Sequence, residues 1–159
     1  MLKQWKLNHN TLKKYGCYFM SLLYARDKNL LKSEESLLNL YDTYTQSGAL
    51  GKNCLVLKPQ EMVQGMYLVS RDEGYKDGLN HHIRNFIKVY KDDIIVGCYV
   101  PRKLMLDVVL GKIQSTHFVL LNDDFTIQYD SEEGNPKMNL KDWELYSLRI
   151  LRKNERKDK

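Results

Sequence analysis

The spacing of apolar residues divides the chain into a helical first third and a strand-rich remainder. Phe19, Leu22 and Leu23, followed by Arg26, recur at helical spacing. They predict a helix from about Tyr15 to Asp27 with three large apolar groups on one stripe. A second helix is predicted over Glu34 to Gln46. Ser33 suits its N-cap, Glu34 and Glu35 suit the positive end of the helix dipole, and Gly48 suits the stop. Leu37, Leu38, Tyr41, Tyr44 and Thr45 form its expected buried face. Pro59 opens a short third helix to about Gln64, which Gly65 ends.

Beyond Gly65 the period falls to two. Met66–Val69, Phe86–Tyr90, Ile94–Val100, Thr116–Leu121, Phe125–Tyr129 and Leu145–Leu151 read as strands rich in β-branched and aromatic residues. Leu104–Leu110 fits either a strand or a helix. Ser70 to Asn80, with two glycines and several charges, reads as an exposed loop. Helices first and strands afterwards predict an α+β fold, with N-terminal helices packed on an antiparallel sheet. No repeat or low-complexity linker interrupts the chain. Residues 1–151 therefore read as one domain, and 152–159 as a charged, flexible C-terminal tail.

Composition agrees with a single domain. The 159 residues are 43 % apolar and 28 % charged, an ordinary globular balance. A chain of this size buries roughly two-thirds of its unfolded surface, enough to need no disulfide or metal. The net charge is +5, and part of it sits in the tail RKNERKDK. That tail has no aromatic residue to stack a base, and acids interrupt it, which argues against a nucleic-acid arm. No run approaches the ~20 apolar residues that span a bilayer. Met1 to Asn10 lacks the apolar core of a secretion signal, so a cytoplasmic protein is expected. Release of a phage-type lytic enzyme through a membrane pore would leave the same pattern. Cys17, Cys54 and Cys98, odd in number and widely spaced, read as free thiols.

One of those thiols is placed for chemistry. A cysteine nucleophile has to be a thiolate, which a helix N-terminus and a neighbouring imidazolium both favour. In YGCYFMSLL, Gly16 allows close backbone approach and Cys17 falls in the first helical turn. Alone, this also describes a buried packing cysteine. His117 opens the strand HFVLL, Asn122-Asp123-Asp124 makes a turn, and FTIQYD returns. A two-residue turn at Asp123-Asp124 makes His117 and Asp130 direct cross-strand neighbours. Phe118, Leu120, Phe125, Ile127 and Tyr129 then share the core side. A carboxylate opposite an imidazole fixes its tautomer and stabilises its charged form. The bland alternatives are a strand-edge histidine and a turn-forming aspartate. Cys17, His117 and Asp130 together have the order and placement that nucleophilic catalysis requires.

The segments YGCYFMSLL and THFVLLNDDFTIQYDS resemble the papain-like cysteine peptidase superfamily. The likeness is to its compact bacterial branches, the bacteriocin-processing double-glycine peptidases and the NlpC/P60 cell-wall peptidases. Over essentially its full length the chain also resembles an uncharacterised family of spirochaete plasmid and prophage proteins. The superfamily resemblance implies a papain-like fold with helices on an antiparallel sheet or half-barrel. It also implies a Cys-His-Asp hydrolase acting on a peptide or peptidoglycan amide, without a cofactor. Such enzymes usually carry Gln or Asn about six residues before the cysteine to polarise the oxyanion. Thr11 stands there instead, which leaves Asn10 as the candidate, with Asn8 and Gln4 farther off. Tyr15, Gly16, Tyr18 and His82 are candidates to line the substrate groove.

Other motifs add little. His81 and His82 are adjacent, so on a strand they point to opposite faces and cannot easily share a metal. No CxxC, HExxH or glycine-rich phosphate loop occurs. Cys54 and Cys98 flank apolar stretches and read as core thiols. Two further readings stand beside the hydrolase: a papain-like fold kept as a non-catalytic binding module, and a basic nucleic-acid-associated protein carried only by net charge.

Overall fold

The computed structural model describes residues 1–72, 88–112 and 115–154. It is an α+β structure with helices on an antiparallel five-stranded sheet. The helices are α1 (Asn10–Tyr15), α2 (Cys17–Arg26), α3 (Glu34–Gln46), α4 (Pro59–Met62) and α5 (Met105–Val109). The strands are β1 (Met66–Asp72), β2 (Ile94–Pro101), β3 (His117–Leu121), β4 (Ile127–Tyr129) and β5 (Trp143–Lys153), in the order β1-β5-β2-β3-β4.

The second helix has its expected bounds because both ends are punctuated. Ser33 Oγ accepts from the Ser36 N–H at 3.2 Å, a cap that contributes about 1 kcal/mol. Gly48 takes the left-handed conformation, φ 74°, just past the end. Leu37 and Tyr44 are buried on this helix, but Thr45 is exposed and hydrogen-bonds back to the Tyr41 carbonyl. Leu104–Leu110 resolves as the short helix α5, and the Pro59 helix ends at Met62.

The first predicted helix forms as α2, and a further short helix, α1, precedes it across Gly16. His9 caps α1 by accepting from the Leu12 N–H, and Cys17 becomes the first residue of α2. Phe19, Leu22 and Leu23 of α2 are fully buried, each worth roughly 1.5–3 kcal/mol, and α2 packs on β3. They belong to the larger core, which also takes Val96, Leu120, Tyr129 and Leu151 from one face of the sheet. A smaller cluster of Ile95, Val119, Leu121, Leu145 and Leu148 fills the other face.

Three strand expectations change. β1 continues through Asp72, so residues 70–72 belong to the sheet and not to a loop. Residues 88–90 are not a strand, while Phe86, Ile87 and the rest of the expected loop lie outside the described residues. β5 runs on to Lys153. Arg152 and Lys153, expected in the flexible tail, pair with Tyr67 and Met66. The Arg152 guanidinium also bonds both carboxylate oxygens of Asp93, at 2.8 and 2.7 Å. Ladder bonds and a bidentate ion pair together hold the chain two residues beyond the expected boundary.

Gly16 sets the position of Cys17. A Cβ at residue 16 would lie 2.5 Å from the Leu12 carbonyl oxygen, a backbone atom that cannot move without shifting α1 against α2. Gly16→Ala should therefore destabilise the fold by about 1–3 kcal/mol. Urea denaturation should show a lower midpoint at unchanged slope.

Candidate active site

Three elements converge on one imidazole. Cys17 is the first residue of α2, His117 the first of β3, and Asp130 follows the last residue of β4. His117 is 4 % exposed and Cys17 7 %. His117 Nε2 lies 2.7 Å from Asp130 Oδ1, and the Cys17 side chain hydrogen-bonds the same ring. With Nε2 committed to the carboxylate, Nδ1 is the nitrogen left to face sulfur. The Trp143 ring stands edge-on to the imidazole at 6.2 Å between centroids.

The register that makes this contact is not the expected one. The turn closes from Phe125 N to Asn122 O, and Asn122 N bonds Thr126 O. Phe125 takes the left-handed conformation, φ 65°, so the loop holds three residues instead of two. That shifts the pairing by one, to Leu121 opposite Ile127. A second irregularity at Gln128 shifts it again, to Leu120 opposite Tyr129. The first shift turns Ile127 out of the core, where it is 47 % exposed. The second restores the facing of Tyr129 and Asp130. Two one-residue shifts thus leave Asp130 on the side expected for His117, diagonal to it and not directly opposite.

The electrostatics follow from this pairing. Burial alone would lower the His117 pKa. The hydrogen bond to Asp130 and the contact with Cys17 outweigh it and push the group up from 6.5 to about 9. Burial would raise Asp130, yet the hydrogen bond and charge of His117 hold it below the usual carboxylate range. The ring is therefore an imidazolium at neutral pH, buried between a carboxylate and a thiol. Burial pushes Cys54 up to about 12 and Cys98 up to about 11, so both are inert core thiols, as expected.

A family model of proteins of unknown function, DUF261, matches residues 1–153. The chain belongs to the DUF261 family. The match takes in Cys17, His117 and Asp130 together with all five strands of this DUF261 protein. A potassium/proton antiporter, CemA, of Tupiella akineta is 30 % identical over 88 residues. Those residues are 54 % of the DUF261 chain and 28 % of the antiporter. No solved structure matches. Among the described residues no helix is long and apolar enough to cross a membrane.

The other candidates fare unevenly. Tyr18 stacks on Phe118 at 4.7 Å, so the residues following Cys17 and His117 lie ring against ring. Tyr15 is partly exposed beneath the Lys14 ammonium. His81 and His82 lie outside the described residues. Asn10 is exposed at the start of α1, and Asn8 is held by Glu34. Gln4, set aside on spacing, is instead buried. Its backbone N–H donates to Ser131 O, its Oε1 accepts from Ser131 Oγ, and its Nε2 donates to Lys13 O. No periodic pattern marks Gln4 or Trp143. Gln4 is placed by Ser131, 127 residues away in the chain, and Trp143 by pairing with Pro101 on the neighbouring strand.

Among the described residues no three His, Cys, Asp or Glu side chains converge to hold a metal ion. Two clefts lie elsewhere. One of about 880 Å³ is walled by Tyr67, Tyr90, Arg152 and Lys153, the other of about 670 Å³ by His9, Glu34 and Asp42. Neither contains Cys17, His117 or Asp130. Volume is a weaker guide here than the converging thiol, imidazole and carboxylate.

The pairing predicts a pH dependence. A raised histidine pKa stabilises the fold fully below the unfolded value of 6.5, and that stability is lost as pH rises through about 9. Asp130, held low, stabilises above the ordinary carboxylate range and loses its contribution in acid. Stability should therefore fall by roughly 3 kcal/mol between pH 6.5 and 9. Guanidinium denaturation at steps across that window should show the fall in the wild type and a flat profile in His117→Gln.

Proposed function

We propose that the protein is a thiol hydrolase of papain-like architecture that cleaves an amide in a peptide or a peptidoglycan stem peptide. One observation carries this reading: Cys17 and Asp130 both bond a single buried imidazole. Sulfur attacks the amide carbonyl while the His117 imidazolium gives its proton to the departing amine. A thioester on Cys17 and a free amine result. The neutral ring then takes a proton from water as that water attacks the thioester. The acid leaves, and the thiolate–imidazolium pair is restored. Asp130 keeps the ring oriented and compensates its charge throughout.

The start of α2 supports the oxyanion. Its first intrahelical bond runs from Met20 N to Gly16 O, and no side chain caps it. The N–H groups of Cys17 to Phe19 therefore precede the ladder and suit a developing negative charge. Buried Gln4 replaces exposed Asn10 as the candidate side-chain donor. One of its N–H groups holds Lys13 O, which leaves the second for a substrate oxygen.

The low exposure of Cys17 favours a second reading, a non-catalytic binding module on the same fold. Iodoacetamide separates the two. At pH 6, where His117 is protonated, Cys17 should label at least roughly tenfold faster than Cys54 or Cys98. His117→Ala should remove that advantage. Equal, slow labelling of all three thiols, read by peptide mass mapping, would favour the binding module.

A further inference from the structure

Arg149 is a largely buried cation, and among the described residues no carboxylate forms an ion pair with it. It lies in β5, is 8 % exposed, and donates to Ser147 Oγ. Its guanidinium carbon stands 5.0 Å over the Phe118 ring, and the Cys98 thiol bonds both Ser147 and Arg149. Two other arginines have carboxylates: Arg152 pairs with Asp93 and Arg102 with Glu144, each at 2.7 Å. Among the described residues no carboxylate pairs with Arg149. A hydroxyl, a thiol and an aromatic face meet the guanidinium where Arg152 and Arg102 have a carboxylate, and its remaining N–H donors are not sealed from solvent.

The sheet register places this charge close to the thiol–imidazole pair. Ser147, Cys98 and Phe118 lie opposite one another across β5, β2 and β3. The adjoining pair on β2 and β3 is Tyr99 with His117. Tyr18, next to Cys17, stacks on Phe118. The guanidinium therefore reaches from β5 towards the two aromatic rings that flank the reacting centre. A carboxylate entering there would meet a planar fork of donors and would desolvate little else.

We infer that Arg149 is the specificity residue of the hydrolase, binding a carboxylate of the peptide substrate beside the Tyr18–Phe118 stack. The inference rests on the hydrolase reading of Cys17. Two carboxylates share this chemistry, an acidic side chain and a peptide C-terminus.

Protection of Cys17 from iodoacetamide tests it. The competitors are acetyl-Ala-Glu-Ala-amide, acetyl-Ala-Gln-Ala with a free carboxylate, and acetyl-Ala-Gln-Ala-amide. At least one acidic peptide should protect at about tenfold lower concentration than the neutral amide. Which one does so identifies the source of the carboxylate. The difference should vanish in Arg149→Met and persist in part in Arg149→Lys. The wild type alone decides if Arg149→Met does not fold. Equal protection by all three peptides, or none, overturns the inference and leaves the hydrolase standing. So does a preference that survives in a folded Arg149→Met protein. A Cys17 that never labels removes the hydrolase reading and this inference with it.

Discussion

A single buried hydrogen bond, from His117 Nε2 to Asp130 Oδ1 at 2.7 Å, governs the rest of the candidate site. Burial alone would strip both groups of charge. Together they reverse that tendency, and each holds the other ionised. The bond also fixes the ring, so that its second nitrogen is available to sulfur. Asp130 is held in turn. Its Oδ1 accepts from the Glu132 N–H at 2.8 Å, and the loop that follows is clamped by the N-terminal segment. Gln4 binds Ser131 through backbone and side chain, Lys3 binds Glu133, and Trp5 reaches the Glu133 carbonyl. Residues at the far end of the chain thereby set the orientation of the carboxylate.

Three thiols in one small core have different chemical prospects for one reason. Burial holds the protons of Cys54 and Cys98 tightly, and for Cys98 it outweighs the neighbouring Arg149 guanidinium. Cys17 is also little exposed, but it stands at a helix start and against an imidazolium. Position relative to His117, and not exposure, distinguishes the three.

The sequence shows what local rules determine. Helix α3 is legible to the residue because Ser33 and Gly48 mark its ends. The choice of Cys17, His117 and Asp130 is legible because each opens or closes an apolar element. The hairpin register is not legible. It depends on Phe125 adopting a left-handed conformation that residues of its type rarely take, and on a bulge at Gln128. The contact survives because two shifts of one residue cancel in parity. A single shift would have turned Asp130 away. Helix α1 was hidden for a similar reason: it is too short and too polar to show a period, and it forms because His9 caps it and Leu12 is buried. Arg152 looked like part of a solvated tail because Asp93, its partner, is 59 residues away in sequence.

The last strand is what joins these parts. β5 pairs with β1 on one side and β2 on the other, so it carries the sheet across from the helix-covered strands to the edge. Its first residue, Trp143, stands against His117, and Arg149 reaches behind Phe118. Leu148 and Ile150 flank Arg149 and point to the opposite face, where Leu148 and Leu145 fill the smaller core on the side that Trp143 also takes. The alternation of the strand thus puts Arg149 and Leu151 on the face of the larger core, and Trp143, Leu145 and Leu148 on the other. A strand buried on both faces can carry a cation at Arg149 only where that charge has something to meet. A ring and a hydroxyl meet part of it, and a carboxylate arriving with substrate would meet the rest.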